Sequence, residues 1–174
     1  MSQQEPGGET SAVAALPTAY GSPLVERAGD TVIHPSRQDW LEVAMALLDD
    51  GFLMCIDVTA VDYLSYAAPR DLPPGVTPER FELVAGFMNH DRRERIRARI
   101  QIPADDPTIA SLYALYPGSD FLEREVFDMF GIVFDGHPDL SRILMPETWE
   151  GHPLRKDYGI GSIPVQFKGA PGPR

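Results

Sequence analysis

The densest set of residues able to do chemistry lies in one short stretch: Glu123, Arg124, Glu125, Asp128, His137, Asp139, Arg142, His152, Arg155, Lys156 and Asp157. His137 with Asp139, and His152 with Asp157, offer nitrogen and oxygen donors of the kind zinc takes. The spacing argues the other way. Each histidine stands between glycine and proline, as Gly136-His137-Pro138 and Gly151-His152-Pro153, and the residue before proline is driven to extended geometry. Neither has a second ligand one helical turn away, as HExxH would. The competing reading is two turn histidines bonded to nearby backbone or carboxylate. For nucleophilic catalysis, Cys55 lies in an apolar stretch where a thiol stays protonated, and no GxSxG elbow surrounds any serine. Neither GxGxxG nor GxxxxGK[ST] occurs, so those routes to a dinucleotide or nucleotide are closed.

A second charged set, Arg93, Arg95, Arg97 and Arg99, recurs at every other position, which places it on one face of a strand. One reading is a solvated sheet face with cross-strand partners such as Glu82. The other is a docking stripe for an acidic partner, since arginine forks grip carboxylates and are enriched at interfaces. No aromatics interleave to suggest nucleic acid. Arg124 and Asp128 stand at i, i+4 and are expected to pair weakly on a helix. Glu150 to Asp157 carries many charges and little apolar surface, which suits either a solvated loop or a loop read by another protein.

The elements that must position these groups follow from periodicity. Residues 1 to 30 are rich in Pro, Gly and small polar side chains and are expected as a flexible arm. From Ser36, Trp40, Val43, Ala44, Leu47 and Leu48 follow helical spacing; Ser36 and Asp39 suggest a cap, and Gly51 a stop. Phe52 to Val61 reads as a buried strand, and the proline-dense Tyr66–Glu79 as an exposed loop. Phe81–Met88 and Arg95–Ile102 alternate around a polar turn and read as a hairpin. Asp106-Pro107 with Ile109, Leu112, Tyr113 and Tyr116 predicts a second helix; Leu122, Val126, Met129 and Phe130 predict a third, ended by Gly131. The expected fold is two-layer α+β, with helices packed on one mixed or antiparallel sheet. Its domain spans 31–135, and residues 136–174 form an extended C-terminal tail that binds a partner.

Composition bounds the function. At 174 residues and 19.2 kDa, 43% hydrophobic and 24% charged, the chain suits one globular domain with tails. Its 26 acidic against 15 basic side chains give a net charge of −11, which disfavours docking on nucleic acid or bare anionic lipid. No apolar run is long enough for a spanning helix, no secretory signal is evident, and the default compartment is the cytoplasm. A single cysteine excludes an internal disulfide and a self-contained iron–sulfur cluster.

Glu123-Arg124-Glu125-Val126-Phe127-Asp128-Met129-Phe130-Gly131-Ile132, continuing through His137-Pro138-Asp139-Leu140 to Arg142-Ile143-Leu144, closely resembles the signature of the C subunit of the proton-pumping NADH:quinone oxidoreductase, respiratory complex I (NDH-1). Glu150 to Tyr158 is similar to a second stretch of that family. The resemblance implies a non-catalytic subunit of the hydrophilic arm, on the cytoplasmic face of the cell membrane, reaching the membrane only through the complex. It implies no cofactor in this chain. FMN, iron–sulfur clusters and quinone would be carried by partner subunits, and the quinone-site and terminal-cluster subunits would be its neighbours. The motif residues named above then have fold and interface roles, and charge reversal of Arg124 or Arg155 is expected to weaken assembly more than the isolated fold. Ser141 stands where the family commonly has arginine, so one contact of that loop is expected to be missing, and the sequence after Tyr158 matches the family tail poorly. Related subunits of membrane-bound hydrogenases and formate hydrogenlyases share the resemblance. A stand-alone metal hydrolase built on His137, Asp139, His152 and Asp157 is the alternative from another class.

Overall fold

In the computed structural model, residues 17–27 and 29–159 are described. The strands are β1 (Thr18–Ala19), β2 (Ser22–Arg27), β3 (Asp30–Ile33), β4 (Met54–Asp62), β5 (Phe81–Asn89), β6 (Glu94–Ile102), β7 (Thr108–Ala110) and β8 (Val133–Asp135). The helices are α1 (Trp40–Asp49) and α2 (Asp120–Phe130), the latter preceded by a short 3-10 turn at Pro117–Ser119. Six strands form one sheet in the order β1-β2-β3-β6-β5-β4, antiparallel except for the β3/β6 pair. A mixed sheet with helices on it is the α+β architecture expected from the sequence.

Strand alternation decides which face is buried. Phe81, Leu83, Ala85 and Phe87 of β5 and Ile96, Ala98, Ile100 and Ile102 of β6 point into a core shared with Trp40, Val43, Ala44 and Leu47 of α1 and Val126, Met129 and Phe130 of α2. The opposite face carries Val84, Gly86 and Met88 across from Arg99, Arg97 and Arg95. Near Asp57 the β4 register shifts, leaving Ile56 as a bulged residue. Its side chain lies over Gly86, where an added Cβ would meet Ile56 at 3.1 Å. Ser36 and Asp39 do interact before α1, hydroxyl to carboxylate at 2.6 Å and Asp39 amide to hydroxyl at 3.1 Å, although Asp39 makes no side-chain cap bond to the helix.

Three expectations are corrected. The arm assigned to residues 1–30 contains β1, β2 and the start of β3. Its glycines and prolines punctuate a hairpin: Gly21 and Gly29 have φ of +72° and +88°, the left-handed region that glycine enters without strain. The part before residue 17 lies outside the described residues. Second, the stretch after Asp106-Pro107 is not a helix. Thr108-Ile109-Ala110 pairs in parallel with β8, Ile109 opposite Phe134, and Asp106 is drawn off by Thr108 Oγ1 at 2.7 Å and Arg37 Nη1 at 2.7 Å instead of capping a turn. Ile109, Leu112 and Tyr116 are buried as their spacing implied, but strand pairing outweighed helix periodicity for two β-branched residues. Third, the tail from 136 finds its surface on its own domain, as far as residue 159. The segment from Gly159 to Lys168, which departs from the family tail, falls almost wholly outside the described residues.

Candidate functional site

The polar residues singled out by sequence converge on helix α2 and on residues 139–158, which lie across its end as a strap. At the start of the helix, Glu123 is fully buried. Its carboxylate accepts from Ser111 Oγ (2.5 Å), the Leu112 amide (2.7 Å) and Ser119 Oγ (3.0 Å), which ties the β7 exit turn to the helix. Burial raises its pKa above the ordinary glutamate value, opposed by those three bonds. A raised folded value means stability that is present below the unfolded pKa and lost as pH rises through the folded one. Glu123→Gln, which mimics the protonated acid and can bond the same groups, is therefore expected to stay within about 1 kcal/mol of wild type at neutral pH. Glu123→Ala, which strands buried donors, is expected to lose about 1–3 kcal/mol. Urea unfolding of both variants checks this, and an alanine variant as stable as the glutamine one would contradict it.

At the other end, α2 closes on Gly131 in the left-handed conformation (φ 71°) and has no basic residue in its last turn. Its final carbonyls would be left without partners, at the negative end of the helix dipole. The strap supplies them. Arg142 Nη1 and His152 Nδ1 donate to Asp128 O at 3.2 and 3.1 Å, the Leu154 amide donates to Met129 O at 3.0 Å, and Arg155 donates to Phe130 O through Nε and to Gly131 O through Nη2. A Cβ on Gly131 would come within 2.5 Å of His152 Nε2 and 2.7 Å of Arg155 Nη2, so the glycine serves both the backbone turn and the close approach. Burial lowers the His152 pKa, and the neighbouring Arg155 and Arg142 charges lower it further.

The helix grips the strap in return through Asp128, whose side chain is completely buried. One oxygen accepts from Arg142 Nη1 at 2.6 Å; the other accepts three successive strap amides, Ile143 (3.2 Å), Leu144 (2.8 Å) and Met145 (2.8 Å). Burial alone would raise this carboxyl's pKa, but the amides and Arg142 together hold it below the ordinary aspartate value. Further along, the Lys156 amide donates to Asp62 Oδ2 at 2.8 Å. Arg80 forks onto both oxygens of the buried Asp62 (3.1 and 2.8 Å) and reaches Asp157 of the strap at 2.7 Å. Arg80 and Arg155 both lie over the Phe81 ring, at 4.7 and 5.2 Å from its centroid.

The remaining expected residues divide. The His137 side chain is buried, Nε2 donating to Asp120 O at 3.3 Å and Nδ1 accepting the Asp139 amide at 3.2 Å, which fits the turn-histidine reading. The sequence pairing of Arg124 with Asp128 does not occur: Asp128 belongs to Arg142, and Arg124 donates to Ser141 O (3.1 Å) and Ser141 Oγ (2.8 Å). Ser141 thus makes a contact where one was expected to be missing. Arg124 and Arg155 bond inside the chain, so reversing their charge should cost the fold stability as well. Glu125, Asp139 and the Lys156 side chain are exposed. Among the described residues, no group of three or more His, Cys, Asp or Glu is arranged to hold a metal ion. Cys55 is half-buried, its thiol pushed up to about 12 by burial.

Of the arginine stripe, Arg95, Arg97 and Arg99 share the outer face of β6. Arg93 does not: it sits in the hairpin turn with φ 58°, outside the strand. Arg99 pairs with the buried Glu82 at 2.8 Å, the cross-strand partner expected on that face. Asp62 and Arg80 were not singled out from sequence. No local motif marks them, since only the β4/β5 register brings the end of one strand beside the start of the next.

The sheet, the two helices and the strap define a two-layer α+β class of fold that recurs in solved proteins. A trypsin-resistant fragment of Nqo5 (1–134) is 33% identical, with a TM-score of 0.61 over 68% of this chain and 89% of that one. A chain of the membrane-bound sulfane sulfur reductase, an archaeal respiratory membrane complex, shares the fold at 19% identity, with a TM-score of 0.62 over 86% of this chain and 88% of that one. The model of the 30 Kd subunit of respiratory-chain NADH dehydrogenase matches residues 33–163, and the chain belongs to that family. It is 44% identical over 145 residues to the C subunit of NADH-quinone oxidoreductase from Saccharopolyspora erythraea, covering 82% of this chain and 54% of the relative. To the same subunit of a Nocardioides species it is 41% identical over 153 residues, 86% of this chain and 57% of that one. The chain thus spans about half the length of the curated relatives it matches. No helix among the described residues is long and apolar enough to cross a membrane.

Proposed function

We propose that this chain is a non-catalytic scaffold subunit of the hydrophilic arm of an NADH:quinone oxidoreductase, peripheral on the cytoplasmic face of the cell membrane. Partner subunits would hold FMN, the iron–sulfur clusters and the quinone, pass electrons from NADH to quinone and couple this to proton translocation. This chain would keep the quinone-site and terminal-cluster subunits in register. One observation carries the reading: four residues of the family's charged motif are used internally. Asp128, Arg142, His152 and Arg155 hold the strap down, while Leu144 and Leu154 of the same strap remain 58% and 49% exposed. These four side chains turned inward and two leucines turned outward invert ordinary burial, and they suit a rigid surface offered to a neighbour.

Affinity purification of the tagged chain from gently solubilised membranes tests it. Flavin- and cluster-bearing subunits with NADH:quinone activity are expected to accompany the wild type, and Leu144→Glu with Leu154→Glu should lose them while keeping the wild-type melting temperature. Recovery of hydrogenase or formate hydrogenlyase subunits would move the chain to a related complex. Isolation of the chain alone, metal-loaded and hydrolytic, would overturn the proposal.

A further inference from the structure

The outer face of the central strands carries a charge pattern that the strap and core do not explain. Of the 15 lysines and arginines in a chain of net charge −11, five fall between residues 92 and 99: Arg92, Arg93, Arg95, Arg97 and Arg99. Arg92 is held by Asp50 and Glu94, and Arg99 by Glu82. Arg97 reaches only the half-exposed Asp30, at 3.3 Å, and Arg95 has no ion pair among the described residues. Both α-helices pack on the other side of the sheet, and among the described residues Arg95 and Arg97 are exposed.

On the β5 side the sheet offers these arginines no compensation. Arg95 is paired across to Met88 and Arg97 to Gly86, neither acidic, and the two arginines stand at i, i+2 on the same face, where like charges repel. Beside them, Asp30, Thr31, Ile56 and Gly86 line a trough of about 90 Å³ that both arginines border. Ile56 in its lining is 40% exposed. Arginine beside a small, partly apolar dip suits an interface, and Arg95, which has no ion pair among the described residues, selects an acidic group to fill it.

We infer that this face docks an acidic segment of another subunit, whose carboxylates pair with Arg95 and Arg97 and whose apolar side chain enters the trough at Ile56 and Gly86. The inference rests on the subunit reading above and adds to it a second contact, separate from the strap. Because arginine forks take carboxylates bidentately, the contact fixes orientation as well as proximity. It should weaken with salt, as contacts between part-exposed charges do.

The test is performed on intact complex from membranes, using the tagged full chain. Arg95→Glu with Arg97→Glu should reduce recovery of partner subunits by roughly tenfold or more. The Lys pair at the same positions, which keeps the charge but not the fork, should fall between the reversed pair and the wild type, and both variant chains should melt with the wild type. Arg95→Gln with Arg97→Gln gives a milder second reading of the same loss should the reversed pair fold poorly. A photo-crosslinking residue at Ile56 should capture an Asp- or Glu-rich peptide of a different subunit. Equal recovery of partners by the wild type, the reversed pair and the glutamine pair would overturn the docking face and leave the subunit reading standing, as would capture of a basic segment or a second copy of this chain at Ile56. A wild-type chain that recovers no other subunit would overturn both.

Discussion

Replacing Asp128 with alanine is expected to destabilise the isolated chain by about 3–5 kcal/mol, the range for breaking a buried ion pair from one side. Four donors lose their acceptor at once: Arg142 Nη1 and the amides of Ile143, Leu144 and Met145. Arg142 is left with only carbonyl partners, and the strap loses its anchor on α2. The pH dependence follows from the depressed pKa of Asp128. A depressed folded value gives stability that is present above the unfolded pKa and lost as pH falls through the folded one. Wild type and Asp128→Ala should therefore differ fully near neutrality and converge in acid, below about pH 4. Urea unfolding across that range measures this. Equal midpoints at pH 7 would show that the strap is not held as described.

The second large effect is at Arg80. Its substitution by methionine keeps the stem over Phe81 but removes the fork from Asp62, whose side chain is fully buried. Asp62 keeps the Leu64 and Lys156 amides, yet its charge loses the cation that offsets burial. A loss of about 3 kcal/mol is expected by the same rule for one-sided disruption. Lysine should recover less than half of it, because a point charge cannot span both Asp62 oxygens and Asp157 together. Removing Asp157 alone should change little, since it is half exposed and its pair with Arg80 is screened. Thermal unfolding of the three variants separates these cases. A methionine variant as stable as wild type would contradict a structural role for this clamp.

The contrast between Asp128 and Asp62 shows where sequence reading reached and where it stopped. Asp128 stood in a dense run of charges, so it drew notice without any knowledge of its partners. Its expected partner, Arg124, was wrong because local i, i+4 spacing cannot anticipate that a strap returns over the helix end and brings Arg142. Asp62 and Arg80 lie in ordinary strand sequence, and only tertiary pairing joins them. Helix α1, the β5/β6 hairpin and α2 followed from local periodicity, since each buries its apolar set within one element. The helix expected after Pro107 failed because Ile109, Leu112 and Tyr116 are buried whether the chain is helical or not, and parallel pairing with β8 is a long-range event. The glycine and proline content before residue 31 signalled turns correctly, but turns of a hairpin and of a loose arm look alike in composition.

Asp128, Arg142, His152 and Arg155 of the charged signature bind within the chain and hold the strap on α2. Amide hydrogen exchange on the purified chain tests this directly, because five strap amides have acceptors on α2 or β4: Ile143, Leu144 and Met145 on Asp128, Leu154 on Met129 O, and Lys156 on Asp62. In the absence of any other subunit, these five should exchange slowly in the wild type, and the first three should become fast in Asp128→Ala. Exchange of all five at open-chain rates in the isolated wild type would mean that the strap is ordered only by its partners, and would contradict the account.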